Sequence, residues 1–158
     1  MKRTLWMFGA AAAAFLFLAE PVRAGEEAKA KGAKADVIWP AEAIKWEDGP
    51  AKGTHIAKLW GDMTKGGAYG ALLKFDAGVM HPLHWHTQDL KLVVLSGTFI
   101  HHPEGGTETK LGPGSYLLQT GGKKHVSGSG SDGPCEFFMT SSGKFDMTMA
   151  GAPAAPKK

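Results

Sequence analysis

Apolar and polar side chains alternate along much of this chain, in short runs that glycine-rich turns interrupt. Residues 54–60 set the pattern. Ile56 and Lys58 fall on one face and Ala57 and Leu59 on the other, which is the two-residue period of an extended strand. Comparable runs cover residues 44–46, 68–75, 81–87, 90–95, 98–102, 107–111, 116–119, 135–140 and 145–149. Turn signals separate them, among them Asp48-Gly49-Pro50, Asp76-Ala77-Gly78, Gly112-Pro113-Gly114 and Gly121-Gly122. Ser96-Gly97, between runs 90–95 and 98–102, predicts a hairpin. Pro82 interrupts the run at 81–87 and predicts a place near a sheet edge or rim. Residues 127–133 are small and polar and read as a loop. No run carries the 3.6-residue period of an amphipathic helix. Short strands at roughly 8–12-residue spacing predict an all-β sandwich or barrel.

The two ends of the chain do not follow this pattern. Met1-Lys2-Arg3 is basic, residues 5–19 are apolar, and Val22-Arg23-Ala24 offers small or modest residues for cleavage. This predicts a signal peptide over 1–24, and therefore a periplasmic or secreted protein. The apolar run falls short of the ~20 residues a membrane span needs, so no membrane association is expected after cleavage. Residues 25–36 are rich in Ala, Lys and Glu and read as a flexible leader. The folded domain is expected over 37–149, with a loose Ala/Pro/Lys tail at 150–158. The signal removes three basic residues and one acid from 18 and 15, leaving 15 and 14 and a net charge of +1. So small an excess argues against nucleic acid as a partner. Cys135 is the single cysteine, so no internal disulfide forms, and it reads as a small buried residue.

The chemistry concentrates in histidines. His84 and His86 stand one residue apart, so in a strand both face the same way, with Leu83 and Trp85 on the other side. Such a pair is part of a metal site and needs another donor. His125, after the glycine turn at 121–122, is the candidate.

These stretches together resemble the two motifs of the cupin superfamily. Gly78, His84, His86 and Gly97 fit the first, which runs Gly, five residues, His-x-His, three or four residues, Glu, six residues, Gly. Gly114, Gly122 and His125 fit the second, with Thr120 in its proline place. The resemblance spans roughly residues 39–149 and implies a double-stranded β-helix, the cupin jelly-roll barrel. It also implies a divalent metal (Fe, Mn, Zn, Ni or Cu) held by His84, His86 and His125, and a homodimer. One element is missing, because Leu90 stands where the motif has glutamate, or Lys91 on the longer spacing. What carries over is three histidines and no acid, leaving either a three-imidazole site with open positions or a lost metal.

Other residues are weighed around this site. Gln88, Asp89 or water stands in for the glutamate if the loop after His86 bends, Asp89 being the better donor. As turn residues, Gln88 and Asp89 would instead bond the backbone, and that reading is preferred. His81, His101 and His102 read as solvated rim histidines, although one turned inward would orient a substrate or move a proton. Trp60, Trp85, Phe99, Tyr116, Phe137 and Phe138 read as core aromatics, with an inward Tyr116 hydroxyl as the less favoured option. The function this predicts is a metal-dependent oxygenase or isomerase acting on a small organic molecule. The alternative is a non-catalytic module that binds a small ligand or a metal.

Overall fold

The computed structural model describes residues 35–151. The expected signal peptide at 1–24 lies outside the described residues, as do most of the expected leader and tail. After a 3-10 turn at Ala41–Ala43 come eleven strands: β1 (Glu47–Asp48), β2 (Thr54–Trp60), β3 (Tyr69–Phe75), β4 (Met80–Trp85), β5 (Leu90–Ser96), β6 (Phe99–Pro103), β7 (Thr109–Leu111), β8 (Tyr116–Gln119), β9 (His125–Ser129), β10 (Cys135–Ser141) and β11 (Thr148–Met149). All strand pairs are antiparallel. One sheet has the order β1-β2-β3-β10-β5-β8 and the other β11-β4-β9-β6-β7. The expected all-β jelly roll is present.

The two sheets contribute different things to the interior. The six-stranded sheet supplies Tyr69, Ala71, Leu73 and Phe75 from β3, Leu90, Leu92 and Val94 from β5, and Cys135, Phe137 and Met139 from β10, all buried. Alternation explains the choice, since these are every second residue of each strand. Each large side chain removed from water stabilises the fold by ~1.5–3 kcal/mol. The five-stranded sheet supplies Phe99 to the same cluster, but its other buried inward residues are polar: His81, His84, His125, Ser127 and Ser129. Cys135 is buried as expected. Burial pushes its thiol up to about 11, helped by the charges of Asp132 and Glu136.

Several expectations give way here. Residues 125–129 form β9, the central strand of its sheet, so 127–129 is not loop. The strand carries no apolar stripe because its inner face is polar. Residues 90–95 and 98–102 do not form a hairpin. β5 pairs with β10 and β8, while β6 pairs with β9 and β7. Ser96-Gly97 is a corner where the chain crosses between sheets, which lets the apolar residues of both strands face one core. Residues 44–46 lie before β1 rather than in it, and only Thr148–Met149 of the run at 145–149 is strand. Trp60 and Tyr116 are exposed rather than core, while Phe99 and Phe137 are buried.

The corner at Gly97 is tight. Its φ is 70°, and a Cβ there would collide with the Pro134 carbonyl oxygen. Gly114 has φ 83° but open space around it. Gly114→Ala is therefore expected to lower stability by about 1 kcal/mol, and Gly97→Ala by more than about 2 kcal/mol, since backbone strain and overpacking add. Urea unfolding of the two variants checks this. Equal losses would show that the crossing is not sterically fixed.

Candidate metal centre

β4 and β9 lie side by side with His84 directly across from His125. Directly opposed residues on one face hold their Cβ atoms ~5 Å apart, so the two rings meet, with centroids 4.4 Å apart. His86 follows on the same face, its ring 5.1 Å from His84 and 5.4 Å from His125. All three are buried, and His84 has no exposed surface. One ring nitrogen from each lies within 4.8 Å of the others.

Backbone carbonyls set the tautomers. His84 Nδ1 donates to the Pro82 oxygen at 2.6 Å, His86 Nδ1 to the Asp146 oxygen at 2.5 Å, and His125 Nδ1 to the Lys123 oxygen at 3.1 Å. A ring nitrogen facing a carbonyl must carry the proton, so the lone pair falls on Nε2 in all three. His84 Nε2 is buried with no partner, and an orphaned buried nitrogen needs an explanation. His125 Nε2 accepts a hydrogen bond from the Gln119 amide at 3.1 Å. Converging neutral nitrogens with carbonyl-fixed rings suit a divalent ion. The residues present fit such an ion.

Charge also favours this state. Burial lowers the pKa of His81, His84, His86, His101 and His125 alike. For His125 the value is pushed down to about 4, chiefly by burial and further by His84, His86 and His101, against the Lys123 bond. Imidazoles that resist protonation keep their lone pairs available.

The remaining candidates separate cleanly. His81 is buried, not a rim residue. The β4–β9 ladder shifts register between His81 and His84, at Pro82, which has no N–H to give. That shift changes parity, so His81 faces inward and Pro82 is exposed. His81 Nε2 is also buried without a partner, and its ring meets Phe75 edge-on at 4.8 Å. Of the adjacent pair, the His101 ring lies 5.1 Å from His125, while His102 donates to the Gly106 carbonyl near the surface. Asp89 does not reach the site. It is exposed, and its carboxylate accepts from the Gly121 N–H at 2.8 Å. Gln88 packs beside Gly143 instead. Tyr116 points out to solvent.

Two residues in the site carry no motif signal. Gln119 is the last inward position of β8, in step with Leu117, and the alternation of β8 was the only clue to it. Asp146 grips Thr87 through both the backbone N–H and the hydroxyl, and presents its carbonyl to His86. A cavity of about 420 Å³ opens beside the histidines. His81, His84, His86 and Gln119 are on its polar side, and Phe75, Leu92, Phe99, Phe137 and Met139 are among its apolar residues.

Comparison with known proteins gives the fold. A family model described as Domain of unknown function (DUF4437) matches residues 8–150. No curated protein matches the chain. Among solved structures, the chain is similar to the polyketide cyclase RemF from Streptomyces resistomycificus (TM-score 0.63, 19% identity, 77% of this chain and 90% of that one). It is also similar to KdgF from Halomonas sp. (TM-score 0.56, 18% identity, 68% and 94%) and to an RmlC-like cupin from Shewanella frigidimarina NCIMB 400 (TM-score 0.56, 18% identity, 68% and 91%). The likeness at these identities is one of fold, and that fold is the cupin jelly roll.

Acid is expected to destabilise the metal-free protein in a defined window. Below the ordinary imidazole value near 6.5 the unfolded histidines take up protons, while the folded ones, His125 down to about 4, do not. Stability falls where the unfolded state binds more protons. The Tm of chelator-treated protein should therefore drop progressively from pH 6.5 toward pH 4 and stay level from 6.5 to 8. A flat profile across the lower range would contradict the burial of these rings.

Proposed function

This chain belongs to the DUF4437 family, and we propose that its barrel holds one divalent metal ion on His84, His86 and His125 and acts with it on a small, largely apolar organic molecule bearing oxygen donors. The observation that carries this is the convergence of three buried imidazoles whose Nδ1 protons are all taken by backbone carbonyls. Imidazole donors suit Fe, Mn, Zn, Ni or Cu. A bound ion would supply Lewis acidity toward a carbonyl or a binding place for O₂, the chemistry of an isomerase or an oxygenase. The neighbour described as a polyketide cyclase supports an enzyme.

The chain's own residues shape what enters. Phe75, Leu92, Phe99, Phe137 and Met139 take up the body of the molecule, each Å² of apolar surface removed from water contributing ~25 cal/mol. His81 Nε2, buried and unpartnered at the same cavity, hydrogen-bonds its polar end and fixes its orientation. The Phe145 ring lies against His86, tilted by 40° with the centroids 5.3 Å apart, and excludes water from that side. The basic, apolar and small-residue order of residues 1–24 supports export, and the cupin resemblance supports a homodimer.

Metal analysis of the purified protein tests the reading. One equivalent of a transition metal is expected after dialysis, lost in His84→Ala with the fold kept by circular dichroism. The loss in affinity should exceed the ~10–100-fold that removing a ligand's supporting hydrogen bond brings. His81→Asn should keep the metal and weaken binding of the organic ligand. Absence of metal in both parent and variant would end the proposal. Ligand stabilisation without turnover would leave a binding module in place of an enzyme.

A further inference from the structure

Gln119 stands where an oxygen donor has gone missing. The cupin-like motif has glutamate at the place of Leu90, and Leu90 on β5 is paired directly with Gln119 on β8. Opposed residues share a face with their Cβ atoms ~5 Å apart. Both side chains are buried, Leu90 at 2% and Gln119 at 5% exposure, and both line the cavity beside the histidines. An oxygen-bearing side chain thus reaches the same inner region from the neighbouring strand, while position 90 has become part of the apolar cluster.

The amide's present bond indicates where it goes. Gln119 Nε2 donates to His125 Nε2 at 3.1 Å. That lone pair is the one His125 would give an ion, since its other nitrogen donates to Lys123. An amide N–H and a cation cannot both hold it. Once the lone pair is taken, the amide is buried without a partner, and a buried unpaired donor is unfavourable if left so. A half-turn about the last side-chain torsion, which is soft and roughly two-fold, brings Oε1 to the place Nε2 now occupies. From there it faces the ion.

We propose that Gln119 is the fourth protein ligand of this centre, giving oxygen through Oε1 in place of the absent glutamate. The proposal rests on the three-histidine reading and adds a donor to it. The resulting set is three imidazoles and one amide, all neutral, so the ion keeps its full charge for whatever completes it.

Cobalt(II) titration of the metal-free protein, followed by visible absorption and by competition with a chelator, decides the matter. Gln119→Leu should weaken Co(II) at least ~10-fold and change the d–d spectrum, while Gln119→Glu should hold the ion at least as tightly as the parent. If Gln119→Leu is folded and keeps the parent's affinity and spectrum, the amide is no ligand and the proposal falls, with the three-histidine site intact. If Gln119→Leu does not fold, Gln119→Glu decides alone: retained or tighter binding supports the ligand, and loss of Co(II) by the folded variant overturns it. Failure of the parent itself to take up Co(II), or uptake unchanged in His84→Ala, refutes the underlying site and this ligand with it.

Discussion

The hydrogen bonds from three imidazole Nδ1 atoms to backbone carbonyls decide what this interior can do. A neutral histidine presents either nitrogen as its lone pair, and three histidines leave every lone pair pointing inward in only one combination of tautomers. Pro82 and Lys123 fix two of them locally, each from two residues before its histidine, Pro82 on β4 and Lys123 in the turn leading into β9. The third lock comes from far along the chain, at Asp146. That segment is itself tied down: Phe145 N–H bonds the Met63 carbonyl, Ala150 N–H bonds the Leu83 carbonyl, and Asp146 holds Thr87 by two contacts. The centre is complete only once the last strand has docked on β4.

How much of this could be read in advance follows from where the apolar signal runs. β3, β5 and β10 were legible because they bury every second residue against one core. β9 was not, although it is the central strand of its sheet. Its inward residues are His125, Ser127 and Ser129, so the face that would have announced a strand is the face given to the site. Local rules fail where function displaces packing. The corner at Gly97 failed for another reason. Two strands joined by a short glycine turn look the same in sequence whether they pair or part, and only the demand for a shared core sends β5 and β6 to opposite sheets.

The site shows the same split. His84, His86 and His125 were legible because strand parity and motif spacing both place them. His81 was not, because Pro82 breaks the parity that would have put it outside. Asp146 acts through its backbone carbonyl, which no side-chain pattern reveals. Gln119 falls at an unspecified position of the second motif, and its place opposite Leu90 appears only when β8 is laid against β5.

The interior that results is divided, with an apolar wall on one sheet and imidazoles on the other, and this division bears on selectivity. An ion held on the proposed neutral donors alone would keep two positive charges beside a largely apolar cavity, where opposite charges attract far more strongly than in water. Leaving that charge uncompensated is costly. A carboxylate at position 90 would have offset part of it. With leucine there, compensation for such an ion would have to come from what enters: hydroxide, or a molecule whose oxygen donor ionises more easily beside it. The same leucine widens the apolar surface that meets the rest of that molecule. On the proposed reading, the one departure from the motif would act in two ways, raising the centre's demand for an anionic donor and its affinity for an apolar body. A ligand that combines an acidic oxygen with a hydrocarbon or aromatic frame satisfies both.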